Sequence, residues 1–159
     1  MRLSRNFKLS EFIFSETALR HGIDNTLPPE LTNNALRIAR WLQTFRNRLC
    51  EKYGREMPIA ITSGYRSPRL NKKVGGSKTS VHVYALAADI NVIGLGVAQT
   101  QREVIELMQD CPYDQCIDEF HGWVHIGLAK DPELSRMENL TARKRIGRFG
   151  KITTAYTYV

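Results

Sequence analysis

The chain lacks any apolar run approaching the roughly 18 residues that a membrane-spanning helix requires. Its opening residues, MRLSRNFKLSEFIFSE, also lack the uninterrupted apolar stretch of a secretory signal. A membrane partner is therefore not expected. Synthesis in a cytoplasm is expected, with separate delivery for any action beyond it. Cysteine is scarce: Cys50, Cys111 and Cys116 make an odd count with no Cys-x-x-Cys pair, which argues against a disulfide framework and for free thiols. Internal repeats, low-complexity blocks and an interdomain linker are missing too. A single domain spanning residues 1–159, acting as a monomer, is the simplest organisation, and that length suffices to bury a core.

Acidic residues are in the minority, 16 Asp and Glu against 23 Lys and Arg, for a formal net charge of +7. Such an excess favours anionic polymers: nucleic acid, cell wall or a membrane surface. The zinc-finger and RNA-binding patterns that would carry a nucleic-acid function are not there, so no nucleic-acid partner is expected. Much of the excess falls late, in Arg143, Lys144, Arg145, Arg148 and Lys151. This basic C-terminal segment, at about 138–159, reads either as a solvated tail or as a contact to an anionic cell-wall polymer.

What is present is ordinary globular chemistry, 42% hydrophobic and 25% charged residues, so disorder is not the default. Ser15 can cap a short helix running through Arg20, stopped at His21-Gly22. After Pro28-Pro29, a long amphipathic helix is predicted from about Thr32 to about Tyr53, with Leu36, Ala39, Leu42, Phe45 and Leu49 on one face and Gly54 at its end. Pro58–Thr62 reads as a strand, Gly64–Ser80 as loop, and Ala87–Ile93 as a second strand. Thr100-x-x-Glu103 has the form of a capping box opening another helix. Trp123–Leu128 is a third strand and Lys151–Val159 a candidate fourth. Helices first and strands later predict an α+β fold, with N-terminal helices packed on a small central antiparallel sheet.

Two histidines and a carboxylate stand where they can meet. A catalytic zinc ion takes three protein ligands and keeps a fourth position open. Strand alternation puts Asp89 and Asn91 on one face of their strand, with Ala88, Ile90 and Val92 on the other. It likewise puts Trp123, His125 and Gly127 opposite Val124, Ile126 and Leu128. Were these strands antiparallel neighbours, Asp89 and His125 would converge, with His82 entering from the preceding loop. Spacing alone does not establish the triad: a lone histidine is more often a surface or hydrogen-bonded residue than a ligand, and a lone Asp in a strand is usually an edge or turn residue.

The wider pattern is more specific. Ser63-Gly-Tyr-Arg-Ser-Pro68, Asn71, Val74-Gly-Gly76, Ser80-x-His82, Asp89 and Trp123-x-His125 together resemble the zinc D-alanyl-D-alanine carboxypeptidase-like peptidases. That family includes phage endolysins cutting the L-alanyl-D-glutamate bond, and its central sheet is similar to the lysostaphin and Hedgehog amino-terminal folds. The resemblance runs from the Asn6-Phe-Lys-Leu-Ser-Glu-Phe12 segment to about Leu128. It implies one Zn²⁺ per chain held by His82, Asp89 and His125, and a peptidoglycan stem peptide as substrate. It also implies an endolysin-like site of action at the cell wall, reached by holin-type release or on a virion. Arg66 matches the arginine that binds substrate or steadies the scissile carbonyl oxygen. Ser80 matches a substrate-contacting or loop-orienting hydroxyl; Tyr65 and Trp123 are candidate substrate-binding residues, with Tyr65 expected to pack rather than react. Glu119, six residues before the last ligand, matches the general base, with Asp118 as the fallback. His121 is a candidate for substrate contact or proton transfer. Two departures stand out: Gly122 replaces a carboxylate found in other branches, and Ala85 stands where the family usually has glycine. An alternative outcome is a zinc-containing module of the same fold that binds without catalysis.

Overall fold

Gly54 ends the longest helix by turning left-handed, at φ 61°, a conformation glycine adopts without steric cost. In the computed structural model, which describes residues 1–147 and 151–159, this helix is the third of five. The helices are α1 (Leu9–Ile13), α2 (Glu16–Arg20), α3 (Thr32–Tyr53), α4 (Pro68–Lys73) and α5 (Val97–Leu107). The strands are β1 (Ile59–Ser63), β2 (Ala87–Val92), β3 (Gln115–Glu119), β4 (Trp123–Gly127), β5 (Glu138–Ile146) and β6 (Ile152–Tyr158). They form one sheet in the order β1-β2-β4-β3-β5-β6.

The fold is α+β, as the sequence predicts. Its sheet is larger than expected, and it is mixed rather than purely antiparallel, because β3 and β5 run parallel. The connection between them carries a short 3₁₀ turn at Pro132–Leu134. The predicted loop over 64–80 contains α4, capped by the Ser67 hydroxyl with Pro68 in its first turn. The Thr100 start is also corrected: α5 begins at Val97 behind Gly96. Thr100 and Glu103 are buried inside it, and Glu103 accepts from Lys52 and Tyr53 of α3.

One face of the sheet is the core. Ala88, Ile90, Val124 and Ile126 are fully buried there with Ile38, Leu42, Phe45 and Leu49 of α3 and Val104 of α5. Each such large side chain contributes roughly 1.5–3 kcal/mol by leaving water. The opposite face carries the polar members of the same strands. Asp89 pairs with His125, His125 with Ile117 and Trp123 with Glu119, so all of these side chains project to one side. The three cysteines are free thiols.

Candidate metal centre

A bulge sets the edge of the site. Pairing between β1 and β2 shifts between Ile61 and Ser63, which brings Ser63 opposite Asp89. An extra residue in one strand re-aims the next side chain, and here the Ser63 hydroxyl joins the polar face. It accepts from Arg66 Nε at 2.9 Å, while Arg66 Nη2 donates to Asp89 Oδ2 at 2.6 Å. The guanidinium thus clamps one carboxylate oxygen and leaves the other, Oδ1, free to face the histidines.

His82 arrives on the 3₁₀ turn Val81–Tyr84. Its Nδ1 lies 2.6 Å from the Gly64 carbonyl. A carbonyl can only accept, so the proton sits on Nδ1 and the Nε2 lone pair faces inward. Nε2 is 3.2 Å from Asp89 Oδ1 and 3.2 Å from His125 Nδ1, and the latter is 2.9 Å from Asp89 Oδ1. All three residues are buried. Burial pushes His82 below the ordinary histidine range, toward the neutral form.

This donor set fits a divalent cation. A neutral imidazole nitrogen and a carboxylate oxygen facing each other are two acceptors without a proton between them. A tetrahedral zinc ion with bonds of about 2.0–2.1 Å separates its donors by roughly 3.3 Å, close to the spacing here. The Gly64 and Arg66 bonds supply the outer contacts that orient ligating His and Asp side chains.

Around these donors opens a cavity of about 1340 Å³, lined by Arg66, Ser80, Tyr65, Glu119 and Trp123 among others. That is larger than the roughly 300–1,000 Å³ typical of small-molecule pockets. Glu119 closes β3 on the site face, opposite Trp123 and two residues along from His125. Burial raises its pKa above the ordinary glutamate value, with the neighbouring Asp89 adding to the rise. Tyr65 is buried, its hydroxyl pKa raised by desolvation. The Trp123 ring meets Phe120 edge-on at 6.3 Å, and its buried indole N–H has no partner among the described residues.

Three sequence expectations need correction. His121 does not reach the cavity: it sits at φ 57° in the β3–β4 turn, its side chain largely exposed, with Nδ1 3.1 Å from Asp118 Oδ2. Asp118 points to the opposite side from Glu119, where Arg143 grips both its oxygens at 3.1 and 2.9 Å. Burial opposes ionisation there, but those bonds hold Asp118 below the usual carboxylate range, which makes it a poor proton acceptor. Arg143 is therefore a structural partner rather than a free tail charge, and the tail is itself the β5–β6 hairpin. Lys144 and Arg145 are exposed on β5, and Arg148 lies outside the described residues. Ala85 does take positive φ, 54°, so the position where glycine is usual keeps a left-handed backbone with a methyl on it.

Sequence reasoning gave no role to Asn25. It is buried, donates to the Ile13 and Tyr65 carbonyls, and accepts from Ser67 N. It therefore fixes the loop that carries Arg66. Nothing in the residues around it signals this, because its partners lie far along the chain.

A family model described as Peptidase M15 matches residues 5–127 of the chain. No curated protein matches.

Proposed function

The chain belongs to the Peptidase M15 family, and from that premise we propose that it is a zinc metallopeptidase hydrolysing an amide bond in peptidoglycan stem peptides. The observation that carries this reading is the convergence of His82, Asp89 and His125 within one cavity that Glu119 and Arg66 also line. Bound by those three residues, zinc would supply Lewis acidity, activating water and polarising the scissile carbonyl. Glu119, with its raised pKa, accepts the proton of the attacking water and returns it to the leaving amine. Arg66 keeps Asp89 in place and presents its remaining N–H groups to substrate carboxylate or developing oxyanion. Tyr65 and Ser80 belong to the cavity wall that positions the stem peptide, and Trp123 forms its floor beside Glu119.

The reading includes an endolysin-like setting, either an L-Ala–D-Glu endopeptidase or a D-Ala–D-Ala carboxypeptidase. Lys144 and Arg145 would attract anionic wall polymer. Among the described residues no helix is long and apolar enough to cross a membrane. The deciding experiment is digestion of purified peptidoglycan with zinc-loaded protein, followed by mass spectrometry of the new termini. A single class of new amino terminus, lost in Glu119→Gln, is expected and names the scissile bond. Zinc-replete, folded protein that produces no new termini would leave the non-catalytic binding module instead.

A further inference from the structure

The cavity does not end at the metal centre. It continues across the sheet to β6, where Thr154, Tyr156 and Tyr158 line it as well. The register explains why. Trp123 pairs with Glu119, Glu119 with Ala142, and Ala142 with Tyr156. One row along, Asp89 pairs with His125, His125 with Ile117, Ile117 with Leu140, and Leu140 with Tyr158. Side chains paired across strands project to the same face, so both tyrosines share the face of the metal ligands. Three strand spacings separate β4 from β6, roughly 14 Å at about 4.8 Å each. Between them lies a separate apolar cluster of Ile117, Leu140 and Ala142.

Tyr156 and Tyr158 are more than half exposed, unlike the aromatic residues of the core. Of the charged groups at this end, Arg136, Asp114 and Glu138 are paired with one another, whereas Lys144, in register with Thr154 on the same face, is exposed. The hairpin also lies beyond the residues matched by the family model. What this end offers a ligand is therefore two exposed aromatic faces with hydroxyl groups that both donate and accept, beside the exposed Lys144.

We propose that Tyr156 and Tyr158 form a distal subsite for a neutral N-acetylhexosamine ring of the substrate's glycan. The apolar face of a pyranose ring covers an aromatic face, and its hydroxyls match those of Tyr156, Tyr158 and Thr154. The carboxylates of a stem peptide would be drawn to Lys144 and to Arg66, and they make no use of the two aromatic faces. The proposal rests on the peptidoglycan reading of the metal centre. On this basis the β5–β6 hairpin holds the glycan while the attached peptide reaches the three metal-binding residues.

Its test separates binding from hydrolysis. A soluble N-acetylglucosamine tetramer is titrated into the zinc-loaded protein, with amide chemical shifts as the readout. Shifts on β5 and β6 are expected. The paired substitution Tyr156→Val and Tyr158→Val, whose β-branched side chains suit a strand, is expected to weaken binding about tenfold or more, the loss typical of truncating aromatic anchors. Unchanged circular dichroism and zinc content show that this variant is folded. In hydrolysis, the variant should lose at least several times more kcat/KM on a glycan-linked stem peptide than on the free peptide. No tetramer binding to the wild type, or equal binding by the folded variant, overturns the subsite. Equal losses on the two hydrolytic substrates overturn it too, by assigning the tyrosines to the peptide. Tetramer binding that depends on the tyrosines, in a protein that cleaves neither substrate, would sustain the subsite and sink the peptidase reading.

Discussion

Gly64 holds His82 from behind: its carbonyl accepts the Nδ1 proton at 2.6 Å, while its own α-carbon is pressed against the backbone of Phe12. A methyl group at position 64 would lie 2.5 Å from the Phe12 carbonyl oxygen and 2.7 Å from its α-carbon. Neither can yield as a flexible side chain would, because Phe12 is itself buried in α1. Gly64→Ala should therefore displace the carbonyl that orients His82. The expected outcome is a loss of about 1–3 kcal/mol in stability from overpacking, with zinc affinity falling about 10- to 100-fold as an outer contact is lost. Competition against a zinc-binding dye measures the second effect, and an undiminished affinity would show that this bond does not position His82.

Removing the metal should cost stability as well as activity. Three buried donors from the 3₁₀ turn, β2 and β4 converge in the folded chain alone. Free zinc at a thousand times its dissociation constant would thus stabilise the fold by about 4 kcal/mol. Chelation should lower the melting temperature reversibly. Alanine at His82, Asp89 or His125 should abolish that response and leave less than stoichiometric zinc by elemental analysis. Full zinc in all three variants would place the ion elsewhere.

How much of this could be read from the chain varies by element. The span and end of α3 were legible because a 3.6-residue apolar period and a terminal glycine are local signals. Strands β3 and β5 were not. Gln-Cys-Ile-Asp-Glu and Glu-Asn-Leu-Thr-Ala-Arg-Lys-Arg-Ile carry charges that belong to strands only because Asp118 and Arg143 neutralise each other across a parallel pair. Ser67 and Pro68 are the cap and first-turn residues of α4, but the glycine- and lysine-rich composition around them reads as loop. Thr100-x-x-Glu103 matched a capping box in form, yet Gly96 four residues earlier is the true start. At the site, strand parity put Asp89 and His125 on polar faces, and the motif resemblance joined His82 to them. The Ser63 bulge and the Asn25 clamp depend on contacts between distant segments that no local pattern encodes.

Glu119 gives a pH signature. Its pKa is raised by burial, so as a base it is lost to protonation at a higher pH than an ordinary glutamate. The acid limb of kcat/KM should accordingly lie above the usual value of about 4.3. Glu119→Gln should lower turnover by about two to four orders of magnitude, with the acid limb flattened and zinc content unchanged. Asp118→Asn should disturb stability more than chemistry, since Asp118 faces Arg143 and not the cavity. A larger catalytic loss in Asp118→Asn than in Glu119→Gln would reverse the two roles.

Arg66→Lys tests whether charge or geometry matters beside Asp89. A guanidinium reaches Ser63 Oγ and Asp89 Oδ2 together, and a single ammonium cannot reproduce that fork. The substitution should reduce kcat/KM about tenfold or more and also weaken zinc binding, because Asp89 loses its anchor. A rise in KM alone, with zinc affinity intact, would restrict Arg66 to substrate binding.

The basic hairpin should divide into a structural charge and surface charges. Arg143 donates to both carboxylate oxygens and to the main-chain carbonyl of Asp118, whereas Lys144 and Arg145 are exposed. Arg143→Gln leaves a buried carboxylate held mainly by the His121 amide. A broken buried pair typically costs about 3–5 kcal/mol, but Arg143 is about a third exposed, so a loss of about 1–3 kcal/mol is expected. The sign of its pH dependence follows from the lowered Asp118 pKa. The pair's contribution is complete above the unfolded aspartate value of about 3.9 and disappears as pH falls through the lower folded value. The stability gap between wild type and Arg143→Gln should thus be full at neutral pH and narrow in strong acid. Lys144→Gln with Arg145→Gln should change stability little and weaken adsorption to whole cell walls, mainly at low salt, since charges beyond about 10 Å are screened at 0.1 M. If the double variant unfolds as readily as Arg143→Gln, all three charges hold the hairpin together, and attraction to the wall must be sought elsewhere on the surface.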